Sequence, residues 1–220
     1  MGYAGITIPE GNVVKITAGG VVLWEKVTGR IPKEYQEVGY IYIPLGAYIN
    51  TQWVPSNGAR FNLKFKQLKG YPFGSGSNPR LAAAQETTEN IQVYNPNNSA
   101  NGIYLLNDVL NKVIEIETYT SAEYCSLTKD GNTTTKKQDH GYEWDTSLPM
   151  LLGAWQYSTS TIRQGEINLY YAKANVAGAD IFELIPCYRK SDGVIGMYDL
   201  ISKTFFTNAG SGSFTKGADV

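Results

Sequence analysis

The sequence predicts an all-β fold, a two-sheet antiparallel sandwich preceded by a small β-hairpin. The chain has 220 residues, of which 16 are Tyr and 23 are Gly; aromatic residues favour strands and Gly favours tight turns. Residues 60–66 alternate strictly between apolar and polar side chains, as a half-buried strand does. About a dozen short strand-like segments are separated by turn signals, which is typical of a sandwich or a barrel.

The amino-terminal part is predicted to be separate from the main domain. Two apolar runs, residues 13–17 and 21–25, flank Ala18-Gly19-Gly20, and this is the pattern of a β-hairpin. We therefore assign residues 1–30 to an amino-terminal β-hairpin or connector and residues 31–220 to the sandwich domain.

Three local signals within the domain are informative. Asp130-Gly131 lies between two Thr-containing runs and predicts a type I′ hairpin turn, which needs positive φ at both positions. Residues 79–86 favour helix, although so short a segment can be overridden into a strand. Residues 150–155 are apolar throughout and predict a fully buried strand.

Composition excludes several classes of partner. The formal net charge is −1 and the basic residues are scattered, so no positive surface of the kind that nucleic acid requires is predicted. No apolar run approaches the ~20 residues of a membrane-spanning helix, and the amino terminus lacks the pattern of a signal peptide. We expect no nucleic acid partner, no membrane insertion and no signal peptide in this chain.

The residue types that carry catalysis are sparse. Cys125 and Cys187 lie in apolar settings, which favours two buried free thiols over a disulfide. His140 is the only histidine, so neither zinc nor a Ser-His-Asp triad is expected. Glu115 and Glu117 share one strand face, as a pair of glycosidase carboxylates would, but solvent-facing glutamates are the preferred interpretation. We predict that the chain is not an enzyme.

Calcium is the ion that the predicted turns suit best. Four aspartates lie in turns where carboxylate oxygens could converge on one cation. Their spacing matches no contiguous calcium-binding loop, so the prediction is that no cofactor is bound, and calcium stays open as an alternative. These aspartates are Asp130, Asp139, Asp145 and Asp192.

Aromatic side chains in loops define the candidate binding site. Sugar recognition places aromatic faces beside amide and carboxylate groups, and loops carry much of recognition in proteins. One such group lies within residues 140–145, and Trp53 lies close to Asn57 in another loop. Trp155 is assigned to the core and Trp24 to packing of the hairpin. The predicted ligand-binding residues are Trp53, His140, Tyr142, Trp144 and Asp145.

Two ends of the domain carry recognisable strings. Residues 184–199 read LIPCYRKSDGVIGMYD and residues 205–212 read FFTNAGSG. With residues 34–41 and 47–51, they resemble the concanavalin A-like, or laminin-G-like, sandwich domains of phage tail (minor structural) proteins and gut-bacterial surface proteins. The resemblance extends over residues 33–217, but the middle of the domain matches no motif, so no ligand residue is carried over there.

The resemblance implies a jelly-roll sandwich on a virion tail or an extracellular surface, in contact with a glycan or a surface protein of a host cell. It implies no reaction. The expected function is therefore a recognition or adhesion module that binds carbohydrate. Two alternatives stay open: a structural tail component that packs against other tail subunits, and a degenerate glycoside hydrolase. A homo-oligomer is compatible with the family analogy.

The closing string also has a structural interpretation. Asp192-Gly193 predicts a tight turn between Tyr188 and Val194, because Asp and Gly are favoured in turns. Asp199 is expected to accept hydrogen bonds from the backbone of the turn that follows it. On this interpretation the string specifies folding rather than binding.

Overall fold

The structure is a computed structural model that describes residues 15–18, 21–25, 30–77, 80–85, 87, 89–94, 103–121, 123–137 and 147–220. All regular secondary structure within these residues is β-strand. The same residues contain no helix that is long and apolar enough to cross a membrane. The strands are β1 (Lys15–Ala18), β2 (Val21–Glu25), β3 (Tyr35–Glu37), β4 (Ile41–Ile43), β5 (Ile49–Asn50), β6 (Ala59–Gly70), β7 (Phe73–Ser75), β8 (Leu81–Gln85), β9 (Ile91–Tyr94), β10 (Ile103–Leu106), β11 (Val113–Thr120), β12 (Tyr124–Lys129), β13 (Asn132–Lys137), β14 (Leu151–Leu152), β15 (Ala154–Gln156), β16 (Ile162–Val176), β17 (Ala179–Arg189), β18 (Ile195–Asp199), β19 (Phe205–Phe206) and β20 (Thr215–Lys216).

The larger sheet is built around β6 and β16. These strands pair antiparallel from Ala59 opposite Val176 to Gly70 opposite Gly165. Strands β11, β12 and β13 extend the sheet on the β6 side. Strands β4 and β17 pair with β16 on its other side, and β17 in turn pairs with β3 and β18.

The smaller sheet runs in the order β10, β9, β8, β7, β14 and β5. Strand β15 pairs with β7 and with the first residues of β16. Because β16 begins beside β15 and continues beside β6, the two sheets are connected through this one long strand.

The two sheets pack face to face around one hydrophobic core. Phe73 of the smaller sheet contacts Phe61 and Phe65 of the larger sheet, with ring centroids 5.3 and 6.3 Å apart. All three rings are fully buried, and burial of apolar surface contributes about 25 cal/mol per Å² to stability. The all-β sandwich that the sequence predicts is confirmed.

The structure confirms one of the local predictions and changes two others. Asp130 and Gly131 have φ values of 49° and 80°, so the turn with two positive φ angles is confirmed. Residues 81–85 form the strand β8 rather than a helix, because they pair with β7 on one side and β9 on the other. Residues 150–155 form two strands instead of one, since Gly153 interrupts them at a φ of 82°.

The closing string behaves as its structural interpretation predicts. Asp199 is 1% exposed and accepts hydrogen bonds from the backbone N–H groups of Ile201 and Ser202 at 3.0 and 3.1 Å. Gly193 has a φ of 72° in the turn after β17. Cys125 and Cys187 are both free and buried, as predicted.

Residues 15–18 and 21–25 pair as an antiparallel hairpin, with Ile16 opposite Trp24. The hairpin that the sequence predicts here is therefore present as a two-stranded sheet. The remainder of residues 1–29 lies outside the described part of the chain, and the division at residue 30 stays a prediction.

Candidate functional site

One face of the smaller sheet points away from the main core. Alternation along the strands places Phe73, Ala83 and Val93 in the core and sends their neighbours Gly74, Ala82 and Tyr94 to the opposite face. On this outer face six side chains meet. We call them the arginine–aromatic cluster: Tyr71, Arg80, Tyr94, Trp155, Tyr157 and Arg163.

The centre of the cluster is the indole of Trp155. It lies over Gly74 and Ala82, two small residues that leave room for a large ring against the sheet. Its Nε1–H donates a hydrogen bond to the carbonyl of Gly76 at 2.7 Å, which satisfies the polar end of the buried ring. The side chain is 1% exposed, so Trp155 supports the cluster from below.

Arg163 reaches Trp155 across a β-hairpin. The two residues are directly opposite each other on β15 and β16, where facing side chains are close enough to interact. The hairpin loop is closed by the Tyr157 N–H, which donates to the Thr161 carbonyl at 2.9 Å. The guanidinium carbon of Arg163 then lies 4.0 Å from the Tyr157 ring centre and 5.0 Å from that of Trp155.

Arg80 approaches the same indole from another strand. It immediately precedes β8, and its guanidinium carbon lies 4.0 Å from the centre of the Tyr94 ring on β9. The same carbon is 5.5 Å from the Trp155 ring centre. Such cation–π contacts contribute about 0.5–2 kcal/mol, depending on how far the cation is desolvated.

Neither arginine of the cluster is neutralised by a residue in the described part of the chain. Among the described residues, no carboxylate lies within ion-pair distance of Arg80 or Arg163. Burial lowers the pKa of the Arg80 guanidinium, and the positive charge of Arg163 lowers it further. The Nε of Arg80 is buried and has no hydrogen-bond partner in the described part of the chain. By contrast, Arg60 is paired with Glu117.

The arrangement can bind a polar ligand from the solvent side. Tyr71, Tyr94 and Tyr157 are each partly exposed, and the Tyr94 hydroxyl donates a hydrogen bond to Gln92 Oε1 at 2.6 Å. A guanidinium that stacks on an aromatic ring keeps its N–H donors in its own plane, where they can bind a planar oxyanion in bidentate fashion. The cluster therefore combines stacking surfaces with two sets of unpaired cationic donors.

The candidate residues predicted from the sequence lie elsewhere. His140, Tyr142, Trp144 and Asp145 fall outside the described residues, so their role stays a prediction. Trp53 is 8% exposed and packs on Phe61 and Phe182 in the main core, with ring centroids 6.0 and 5.7 Å apart. That placement gives its ring a packing role, and its part in ligand binding is not tested.

Sequence reasoning did not find the arginine–aromatic cluster. A hairpin signal was present, since the polar run of residues 158–161 separates Trp155 from Arg163. Assigning its register would have placed these two side chains opposite each other. Arg80 and Tyr94 join them only through the order of strands in the smaller sheet. Trp155 is buried, as predicted, but beneath this cluster rather than within the main core.

A second surface feature contains the two glutamates noted in the sequence. Glu115 and Glu117 lie on β11 opposite Lys64 and Asn62 of β6, and both line a groove of about 390 Å³ on the outer face of the larger sheet. Glu117 forms an ion pair with Arg60 at 2.9 Å. The other residues of the groove are Asn62, Ile116, Thr128, Asp130 and Gly131.

The aspartates proposed for calcium are only partly described. Asp130 forms an ion pair with Lys129, and Asp192 forms one with Arg189. Asp139 and Asp145 fall outside the described residues. Within the described ranges, no group of three or more His, Cys, Asp or Glu side chains is arranged to hold a metal ion. The calcium alternative therefore stays a prediction.

Comparisons with known proteins give little beyond the fold. No family model and no curated protein matches the chain. Among solved structures, an alginate lyase is similar over 58% of this chain and 65% of its own, less than two thirds of its length. The sequence identity is 15% and the TM-score is 0.36.

One sequence prediction is corrected by this comparison. The sequence predicted that the chain is not an enzyme, whereas the matched structure is that of an enzyme. The exclusion of enzymatic activity is therefore withdrawn. At this TM-score the likeness transfers no activity, substrate or catalytic residue to the chain.

Proposed function

We propose that this β-sandwich is a carbohydrate-recognition module that binds its ligand on the outer face of the smaller sheet. The observation that carries the proposal is the arginine–aromatic cluster, in which three partly exposed tyrosines and two unpaired arginines surround one buried tryptophan. Sites for small polar ligands combine aromatic walls with a few well-placed hydrogen-bonding groups.

The chemistry of the cluster suits a sugar. The apolar C–H face of a sugar ring packs against an aromatic face, while its hydroxyl groups need donors and acceptors at the ring edge. Arg163 lies over the rings of Tyr157 and Tyr71, with its guanidinium carbon 4.0 and 5.6 Å from their centres, so a sugar would pack on the parts of these rings that the guanidinium does not cover. Because Trp155 is held by its hydrogen bond to Gly76, the platform is rigid before the ligand arrives.

The test is binding of the full chain to a glycan array, with and without calcium. We expect a selective signal that falls about tenfold in a Tyr157→Ala variant, since one aromatic contact contributes up to about 1.5 kcal/mol and about 1.4 kcal/mol corresponds to tenfold in affinity. Tyr124→Ala is the matched control: Tyr124 is 39% exposed and packs beside Tyr119 on the larger sheet. Trp144→Ala tests the loop predicted from the sequence.

A blank array with folded protein would contradict the proposal. The structural alternative, a tail component that packs on other subunits, would then be preferred. A signal lost on Tyr124→Ala but kept on Tyr157→Ala would instead move the binding site to the larger sheet.

We further propose display on a virion tail or an extracellular surface, where the partners are a host glycan or surface protein and other tail subunits. The resemblance of residues 184–199 and 205–212 to phage tail and gut-bacterial surface domains supports this placement. Light scattering of the purified chain tests for a homo-oligomer, and pull-down with intact host cells tests for a surface ligand.

The groove around Glu115 and Glu117 supports a second candidate function, cleavage of a bound glycan. Two glutamates on one face of β11 line an open groove of about 390 Å³, and paired carboxylates are what glycoside hydrolysis requires. Polysaccharides that bind on the array are incubated with the protein and assayed for new chain ends. Cleavage abolished by Glu115→Gln or Glu117→Gln, and kept in Asp108→Asn, would support this function; intact polysaccharide would rule it out.

A further inference from the structure

We infer that the arginine–aromatic cluster selects acidic glycans, with Arg80 and Arg163 binding a carboxylate or sulfate group of the sugar chain. This inference rests on the proposed carbohydrate-binding function and adds the ligand class. It starts from two cations that the described part of the protein leaves without an acidic partner.

Two nearby unpaired cations are unfavourable in the free protein. Arg80 is partly buried, its Nε has no hydrogen-bond partner among the described residues, and Arg163 repels it. A buried donor without a partner is unfavourable. An oxyanion bound by both guanidinium groups would offset the repulsion between their charges.

The orientation of both side chains supports the same conclusion. Arg80 lies over Tyr94 and Arg163 lies over Tyr157, each with 4.0 Å from guanidinium carbon to ring centre. Stacking occupies the faces of the guanidinium groups and leaves their edges for hydrogen bonds. Bidentate hydrogen bonds from those edges match the two oxygens of a carboxylate or sulfate.

Other arginines in the chain show what is absent here. Arg60 also lies over a tyrosine ring, 4.4 Å from the centre of Tyr119, but Glu117 neutralises it at 2.9 Å. Arg189 lies 5.6 Å from the ring centre of Phe205 and is neutralised by Asp192 at 2.6 Å. Arg60 and Arg189 therefore each have a carboxylate partner as well as a ring beneath them. Among the described residues, the arginines of the cluster have the rings but no such partner.

A glycan is favoured over nucleic acid as the source of the oxyanion. The chain has a formal net charge of −1, whereas proteins that bind a phosphate backbone present an extended basic surface. Two arginines set among tyrosines suit isolated acidic groups on a sugar chain better than a continuous row of phosphates.

The experiment measures binding to two matched pairs of polysaccharide by calorimetry. The first pair is polygalacturonate and its carboxyl-reduced form, and the second is dextran sulfate and dextran. We expect at least one acidic member to bind about tenfold or more tightly than its neutral partner, because charge-assisted hydrogen bonds are roughly twice as strong as neutral ones. The pair that shows the difference identifies carboxylate or sulfate as the group recognised.

The arginines are tested with Arg80→Gln and Arg163→Gln, and Arg60→Gln is the matched control. Either cluster variant should reduce the preference for the acidic polysaccharide about tenfold, and the control should leave it unchanged. Thermal unfolding of each variant checks that it is folded. If Arg80→Gln is not folded, Arg163→Gln alone tests the inference. Added salt should weaken binding of the acidic member more than that of the neutral member.

The outcomes separate this inference from the proposed function. Equal binding of the acidic and neutral members, or a preference unaffected by both arginine variants, would overturn the inference while the carbohydrate-binding proposal stands. Tighter binding of a single-stranded oligonucleotide than of either acidic polysaccharide would also overturn it. If the glycan array is blank and none of the four polysaccharides binds to the folded protein, the carbohydrate-binding proposal and the inference both fail.

Discussion

The indole of Trp155 occupies the space above Gly74. A Cβ atom at Gly74 would lie 2.5 Å from Cγ and Cδ1 of that indole and 2.8 Å from the Cβ of Ala82. Carbon atoms do not approach so closely, so only glycine at this position lets the ring lie flat on the sheet. The arginine–aromatic cluster is built on this contact, because Arg80, Arg163, Tyr71, Tyr94 and Tyr157 all pack around the same ring.

The Gly74→Ala substitution is therefore expected to displace Trp155. Overpacking of a buried site costs about 1–3 kcal/mol, and the shift of the ring should also weaken ligand binding at the cluster. Gly39→Ala is the control, since a Cβ there would meet only the Ala218 carbonyl oxygen at an ordinary 3.8 Å. Urea unfolding measures the stability change, and equal stability of both variants would contradict the packing account.

Asp199 is expected to be a large single contributor to stability. Its carboxylate is 1% exposed and accepts four hydrogen bonds, from the backbone of Glu183, Ile201 and Ser202 and from the Ser202 hydroxyl. Asp199→Asn replaces one acceptor oxygen by an amino group that faces donors, which should cost about 3 kcal/mol. Chemical denaturation measures this loss. The exposed Asp108→Asn variant should change stability by less than about 1 kcal/mol.

The two thiols should be unreactive in the folded protein. Cys125 and Cys187 are both 0% exposed, and burial raises the pKa of the Cys187 thiol to about 12. Because the thiolate is the reactive species, iodoacetamide in mildly alkaline buffer should label neither residue until the chain is unfolded. Mass spectrometry before and after addition of denaturant counts the labelled thiols. Rapid labelling of native protein would show that Cys187 is accessible.

Stability is expected to fall in acid. Hydrogen bonds from Lys173, Arg189 and Lys216 hold the pKa values of Asp180, Asp192 and Asp219 below the usual range. A carboxyl whose pKa is depressed by folding stabilises the protein above its unfolded pKa of about 3.9 and loses that contribution as the pH falls through the folded value.

Thermal unfolding between mildly acidic and strongly acidic pH measures this dependence. Replacing the three aspartates by asparagine should flatten the acid limb of the curve. High salt should reduce the difference in acid stability between this triple variant and the natural chain, because all three ion pairs are exposed and are screened by ions. An unchanged acid limb in the triple variant would assign the loss of stability to other carboxylates.

Several features of the fold could be predicted because they depend on neighbours in sequence. The alternation of Phe61, Leu63 and Phe65 with polar residues was enough to place them in the core, since strand side chains point to opposite faces in turn. The Asp130-Gly131 turn was also predictable from a local property, because these two residue types tolerate positive φ. Residues 81–85 were ambiguous because alanine and leucine favour helix in isolation, and only pairing with β7 and β9 makes them a strand.

The candidate site was less predictable than the fold. Aromatic loop residues were the signal that was followed, and they led to Trp53, which packs in the core, and to residues 140–145. The residues that do meet on one face, such as Arg80 and Arg163, look like scattered surface charges in the sequence. No local pattern reveals that an arginine will lack a carboxylate partner, because a partner can also come from a strand distant in the chain, as Glu117 does for Arg60.

By itself, the sequence determined the all-β class, the positions of tight turns and the burial of alternate side chains. These properties arise from backbone preferences and from a period of two residues, which are local. Only the tertiary structure decided that Arg80, Tyr94 and Arg163 would surround Trp155. Their meeting depends on strand order and on the register of β15 with β16, and it depends on Gly74 leaving room for the ring. Apart from the short hairpin that joins β15 and β16, those are consequences of how the strands are ordered and the sheets pack, which no short segment encodes.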